Sequence, residues 1–505
     1  MNLTYNFLVS QKNGSKLHFN GYKVVNSDVV FNPLNLWKAT TTLYCTITEV
    51  DEQDQSIPSK VRGKGVIHIR PTAFLQECTT MEATGSSLYA KVTSTANFLG
   101  YFTAKAAGAF LTPFIPQMWP SLPFHSYQNP TPWSKEFTVE ANDRVKTKLY
   151  MWEPQGNRGQ TDDAPILLFI PGAAVDHQIF ALPTIEHNAV NYFREEGYRV
   201  YSMVHRVGKT VVAQQNWTTY DARRDIHAAL KEIRKRHSII DKLDGSGPNK
   251  TTYVVAHCAG SIALASGLLD GTIPRQWLSG VTASQVFMNP KFAKVNNIKA
   301  RLPISMANIY NLIQGKWFDC TSTPRDGYLQ QAINQVLRFY PVGHRNEICN
   351  SVVCHRSSLV FGLLWSHKGL NEATHSQLEN FVGGTSMTSL NHLMYQGTHE
   401  YVTDSQNENL VTPQNIARLK GLPIFFFSGT QNEVYAPDNT DTSFTTLTEA
   451  NGGICYERQV FKDRGHLDAW MSPSAHKDVY PRVLHHIRKV ENNRYEVLKK
   501  AIGQS

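Results

Sequence analysis

The amino-acid sequence predicts an α/β fold, with a doubly wound and mainly parallel sheet at its core. Three observations predict it. From about residue 137, short apolar runs alternate with stretches of helical period. One of these runs, TTYVVAHC (251–258), breaks at a turn of small residues into a small-residue helix. Before residue 110 the pattern is different, strand-like and alternating, and a proline-rich stretch separates the two.

The N-terminal part comes first. KLHFNGYKVV, TTTLYCTITEV and GKGVIHIR alternate apolar and polar residues between turn signals such as Asn13-Gly14, so residues 1–110 are expected as a strand-rich domain. The small-residue stretch TANFLGYFTAKAAGAFLTPF suits a packing helix, since Lys105 is its only basic residue for a membrane surface. Residues 111–136 read as an extended linker, because each proline fixes φ and removes a backbone donor.

In the second part, VKTKLYMW and YRVYSMVH are expected strands. APILLFIPG is a continuous apolar run that stops at Pro-Gly, as a buried parallel strand would. In TYDARRDIHAALKEIRKRH, Ile226, Leu230 and Ile233 fall at helical spacing. GVTASQVFMNP, LPIFFFSGT and ICYERQVF supply the later strands, and the weaker period of 291–419 reads as a helical cap inserted between two of them. Residues 137–505 are thus one expected domain.

The turn after TTYVVAHC carries the chemistry. Ala256-His257-Cys258-Ala259-Gly260 has the spacing of G-x-S-x-G, a nucleophile elbow, with cysteine in the serine position. This predicts an α/β-hydrolase arrangement with Cys258 as nucleophile. His466, in KDRGHLDAWM after the last strand, stands where the histidine of such a site belongs. His257 is expected to point elsewhere. The third member should follow SGTQNEVYAP: Asn432 is three residues past Gly429, and Glu433 is the alternative. An asparagine suits a cysteine nucleophile, which needs an orienting hydrogen bond more than a second negative charge. Backbone N–H groups of Ala173 and Ala259 are the expected oxyanion donors. Trp317, Phe318, Phe361 and Trp365 are the expected substrate-binding aromatics of the cap.

Composition narrows the rest. The chain of 505 residues carries a net charge of +9 with its basic residues scattered, which argues against a nucleic-acid partner. No apolar run is long enough for a membrane span, and no secretory signal is visible. Seven irregularly spaced cysteines suggest reduced thiols and a cytoplasmic setting. The run CNSVVCHRSSLVFGLLWSHKGLNEATH mixes cysteines and histidines, but its C-x₄-C-H start lacks a matching second pair, so no metal is expected there. No glycine-rich nucleotide fingerprint occurs, and no cofactor is expected.

FNGYKVV, LWKATTTLY, GKGVIHI, AHCAGS, CNSVVCHR, LNEATH, SGTQNEVYAP and GHLDAW, in that order, resemble the α/β-hydrolase-like C-terminal portion of cholesterol-oxidase-like (GMC-type) flavoproteins. The resemblance covers most of the chain. It implies the α/β-hydrolase fold and its site, and no particular substrate. A flavin-binding portion is not expected, so sterol oxidation is not carried over. The cysteine elbow is also similar to that of polyhydroxyalkanoate synthases, which have Asp where Asn432 stands.

Two functions compete. One is a cysteine-dependent acyl hydrolase or acyltransferase acting on a hydrophobic ester or thioester in terpenoid, steroid-like or polyketide metabolism. The other is a cyclase or isomerase of Diels–Alder type that uses the pocket to shape a biosynthetic intermediate, with Cys258 and Asn432 as marks of a retired triad. A purely binding protein would leave the elbow and His466 unexplained. The expected partner is a hydrophobic small molecule.

Overall fold

The computed structural model describes residues 2–12, 14–24, 41–50, 56–70, scattered positions between 73 and 98, 131–155, 164–241, 250–301, 315–321, 334, 337, 342, 349 and 351–492. They divide between two units, residues 1–115 and 116–505.

Among the described residues the first unit contains four strands: β1 (Asn2–Ser10), β2 (Lys16–Val24), β3 (Thr42–Val50) and β4 (Ser56–His68). They pair as an antiparallel meander in chain order. The expected small-residue helix at 95–114 and residues 111–130 of the expected linker lie largely outside the described residues.

The second unit is built on eight strands: β5 (Lys135–Glu140), β6 (Lys146–Trp152), β7 (Ile166–Ile170), β8 (Arg199–Val204), β9 (Thr252–His257), β10 (Leu278–Ser284), β13 (Ile424–Gly429) and β14 (Tyr456–Phe461). Their spatial order is β5-β6-β8-β7-β9-β10-β13-β14. Only β6 runs against the others. β7, β8, β9 and β13 are buried along their whole length, which is why β7 reads as an unbroken apolar run and the others as mostly apolar ones. The helix Ala222–Arg236 packs on the helix Ala259–Leu269, while the helix Val479–Glu491 packs on β10 and on the helix Ala189–Glu195.

One boundary moves. β5 starts at Lys135, and the Trp152 indole donates to the Thr131 carbonyl at 3.0 Å, so 131–136 belong to the sheet unit and not to a linker.

Between β10 and β13 lies the insertion. Its described parts include the helices Lys294–Ala300, Val352–Phe361, Glu372–Ser376 and Met387–His399, and the short antiparallel pair β11 (Trp317–Asp319) and β12 (Gly384–Ser386). Among the described residues no helix is long and apolar enough to cross a membrane.

Candidate active site

Cys258 sits between the end of β9 and the helix Ala259–Leu269, with φ +54° and ψ −127°. A non-glycine residue in this region is strained by roughly 1–3 kcal/mol and persists only where its surroundings enforce it. Small neighbours allow the turn. A Cβ on Gly260 would stand 2.2 Å from the Pro171 carbonyl, and one on Gly172 would stand 2.8 Å from the Cys258 Cβ. The end of β7 and the start of the helix thus meet at the thiol.

The backbone N–H groups of Ala259 and Ala173 both point at the Cys258 sulfur. Burial nevertheless dominates and pushes the thiol up to about 12. Pro171, just before this loop, accepts a hydrogen bond from His205 Nε2 at 2.7 Å, which fixes the approach of the chain.

The His466 imidazole faces the sulfur. A nitrogen of His466, a nitrogen of His257 and the Cys258 sulfur all lie within 4.8 Å of one another. His466 is 1% exposed, and burial alone pushes it down to about 3. Among the described residues, neither of its ring nitrogens has a hydrogen-bond partner.

The expected orienting residues do not touch that ring. Asn432 donates from Nδ2 to Gln285 Oε1 at 2.9 Å and accepts at Oδ1 from the Val434 and Tyr435 N–H groups. Its polar atoms are occupied in shaping the loop after β13, so it is not the third member of a contact triad. Glu433 is half-buried and likewise makes no bond to the His466 ring.

What lies beside His466 is His257, ring centroids 4.8 Å apart. The expectation that His257 points elsewhere is therefore corrected. Its Nδ1 meets Ser284 Oγ at 3.0 Å, and that hydroxyl also accepts from the Trp470 indole at 2.9 Å. Burial, with His466 adjacent, holds His257 well below its usual range.

Two further residues were missed. Gln285, at φ +73°, donates from Nε2 to the carbonyls of Gly465 and His466 at 2.9 and 3.1 Å. Its place just beyond β10 was the available signal, because sites gather at the carboxyl ends of parallel strands. Tyr435 is buried, and its ring lies 5.9 Å from that of His466.

A cavity opens over Cys258. Its wall is mostly apolar, with Phe292, Phe361, Leu364, Leu390, Leu393 and Met394 contributed largely by the cap. Asn296 and Lys299 are its polar residues away from the thiol. Lys299 donates to the carbonyls of Ser358 and Leu359, both at 3.1 Å, and burial pushes its ammonium down to about 8.

Of the four expected cap aromatics, only Phe361 lines this cavity. Phe318 stands behind it, edge-on at 5.9 Å, and Trp317 lies beside it on β11. Trp365 turns its indole N–H to the Cys354 sulfur instead. Substrate-facing roles for Trp317, Phe318 and Trp365 are thus corrected: a period-based reading cannot tell the wall of a cap from its packing.

Cys354 also belongs to a second group. The donor atoms of Cys349, Cys354, His367 and His375 lie within 4.8 Å of one another. The missing second pair, which argued against a metal in this stretch, is supplied by the fold.

No family model matches the chain, and no curated protein matches its sequence. Solved structures similar to it include a thermophilic esterase from Thermogutta terrifontis, at 10% identity and a TM-score of 0.40, covering 71% of this chain and 99% of that one. Another is an esterase of Pyrococcus furiosus, at 12% identity and a TM-score of 0.36, covering 74% and 97%. These likenesses are remote. The α/β assignment rests on the chain's own geometry: the strand order, the single reversed strand β6 in an otherwise parallel sheet, and the strained turn between β9 and the helix that follows it.

Proposed function

We propose that the protein is a cysteine-dependent acyl hydrolase or acyltransferase acting on an ester or thioester with an apolar acyl group. One observation carries this reading: the N–H groups of Ala173 and Ala259 converge on the Cys258 sulfur. A carbonyl carbon attacked by that sulfur would place its oxygen between the same two donors, where developing negative charge is stabilised.

In this reading the sulfur forms a bond to the acyl carbon, and the thiol proton passes to His466. The tetrahedral intermediate expels the alcohol or thiol, which leaves with that proton. Water, or a second alcohol or thiol, then attacks the acyl-cysteine and its proton returns through His466 to the sulfur. Cys258 and His466 are both neutral at pH 7, because burial raises one and lowers the other. Attack and proton transfer are therefore coupled, with no resting ion pair. Gln285 holds the His466 backbone, and the apolar cavity takes the acyl chain.

A second reading, a cyclase or isomerase that uses the cavity to shape its substrate, is favoured by one feature: among the described residues no side chain orients the His466 ring. Intact-protein mass spectrometry with p-nitrophenyl esters and acyl thioesters of increasing chain length separates the two. The acyl-transfer reading expects an acyl adduct on Cys258 that is absent in Cys258→Ala. A Cys258→Ala variant that still turns over a substrate converted by the wild type would favour the second.

A further inference from the structure

We propose that Cys349, Cys354, His367 and His375 form a closed, structural zinc site in the cap. Their donor atoms lie within 4.8 Å of one another, and three of the four residues are buried. A tetrahedral zinc ion with bonds of about 2.3 Å to sulfur and 2.0 Å to nitrogen needs donor separations of about 3.3–3.8 Å. The Cys354 sulfur lies 3.3 Å from His375 Nε2 and 3.5 Å from His367 Nε2, already at that spacing.

The chemistry of the set selects the metal. Two thiolates and two imidazoles suit zinc, and four protein donors leave no open position for catalysis. Binding would release the two thiol protons to solvent.

The surroundings fit a thiolate pair. The Trp365 indole and the Ser351 hydroxyl both stand in hydrogen-bonding position to the Cys354 sulfur. The Ser351 side chain also accepts from the Cys354 N–H at 3.4 Å, capping the helix Val352–Phe361. His355 Nε2 donates to the Cys349 carbonyl at 2.6 Å and so fixes that residue ahead of the helix. Outer partners of this kind hold metal ligands in orientation.

In the sequence the four residues read C-x₄-C-x₁₂-H-x₇-H. The first three follow the spacing common to small zinc modules, and only the last interval is longer. Asn371 accounts for it: its side chain caps the helix Glu372–Ser376, and that extra turn brings His375 back to the cysteines.

The site would brace the cavity. The helix Val352–Phe361 carries Cys354 near one end and the wall residues Leu359, Val360 and Phe361 at the other. The segment leading to His367 is bonded to the His466 loop, with Leu467 N–H donating to the Leu364 carbonyl at 2.6 Å.

The test uses the full chain purified without chelator. Elemental analysis should find one zinc per chain. Replacement by cobalt should give the thiolate-to-cobalt charge-transfer band and intense visible bands of a tetrahedral site. Cys354→Ser and His375→Ala should lose the metal, while Cys258→Ala should keep it, which separates this site from the group around the nucleophile. In the folded wild type, an organomercurial should release zinc into a colorimetric chelator mole for mole, so the outcome does not depend on the variants folding. A chain that takes up neither zinc nor cobalt overturns the proposal. So does metal lost with Cys258→Ala, or a disulfide between Cys349 and Cys354.

Discussion

The Asn432 side chain donates to Gln285 at 2.9 Å, and Gln285 donates onward to the backbone carbonyl of His466 at 3.1 Å. The residue in the expected orienting position thus acts on the loop that carries the histidine, at one remove, and leaves the imidazole itself untouched. Gln285 also accepts from the Gly429 N–H at 3.0 Å, so the ends of β10 and β13 and the His466 loop share one side chain.

This arrangement separates stability from chemistry at Asn432. Asn432→Ala removes one donor and an acceptor serving two N–H groups, all buried. Losses of this kind cost about 2–4 kcal/mol. Urea unfolding should show that loss, while kcat on the best ester or thioester falls by less than roughly tenfold. A fall of a hundredfold or more at unchanged stability would mean that Asn432 reaches the imidazole during turnover. Gln285→Ala should lower kcat more than Asn432→Ala, since it frees the His466 backbone directly.

The strands, the elbow and the histidine were legible because each is fixed by local rules. β7, β9 and β13 are largely apolar because both faces are covered, and glycines stand at 172 and 260 because the packing around Cys258 leaves no room for a side chain there. The contacts made across the sheet were not legible. Asn432 and Glu433 hold the right place in the chain, but which way a loop side chain turns depends on Gln285, more than a hundred positions earlier. The cap was hidden for the same reason. Phe361 and Trp365 are four residues apart, yet one faces the cavity and the other the cysteine–histidine group.

Reactivity of the nucleophile should follow its protonation. Burial pushes the Cys258 thiol up to about 12, so only a minute fraction is thiolate at pH 7. Iodoacetamide should modify Cys258 slowly at pH 7, and the rate should rise about tenfold per pH unit through pH 9 without a plateau. Stopped-time alkylation with peptide mapping measures this. A plateau below pH 8 would reveal a resting thiolate paired with His466. A substrate that protects the thiol should slow the reaction at every pH.

The cavity wall gives a cleaner test of substrate class. Phe361→Ala removes an apolar surface that lines the cavity, whereas Trp365→Ala acts outside it. Truncating a buried aromatic contact of roughly 1.5 kcal/mol should raise KM for long-chain substrates by about tenfold. Short-chain substrates should be nearly indifferent to Phe361→Ala. Trp365→Ala should leave the chain-length dependence unchanged. Equal effects of the two variants across chain lengths would argue that the acyl group lies elsewhere.

Acid should destabilise the protein well before its carboxylates titrate, because several histidines are buried in neutral form. Burial pushes His205 down to about 4 and His466 and His486 to about 3, and it holds His257 well below its usual range. In the unfolded chain each titrates near pH 6.5. Above that value both states are neutral and these groups contribute nothing to the pH dependence. As pH falls below it, the unfolded chain takes up protons that the folded chain refuses, so stability falls. Asp468 opposes this, since burial pushes it up to about 6 and the folded state then binds one more proton than the unfolded state between pH 6 and 4. The buried histidines outnumber the raised carboxyls, so linkage gives a slope of falling stability as pH drops below about 6.5. Urea midpoints measured from pH 7 to 4 should drop with that slope. His486 offers the check on mechanism: its Nδ1 meets the Tyr253 hydroxyl at 2.5 Å, and that hydroxyl keeps Thr282 as a second partner. His486→Phe should therefore flatten the slope by about 1.4 kcal/mol per pH unit, one proton's worth. An unchanged slope in His486→Phe would show that this histidine is already protonated in the folded protein at pH 5, and that burial does not hold it neutral.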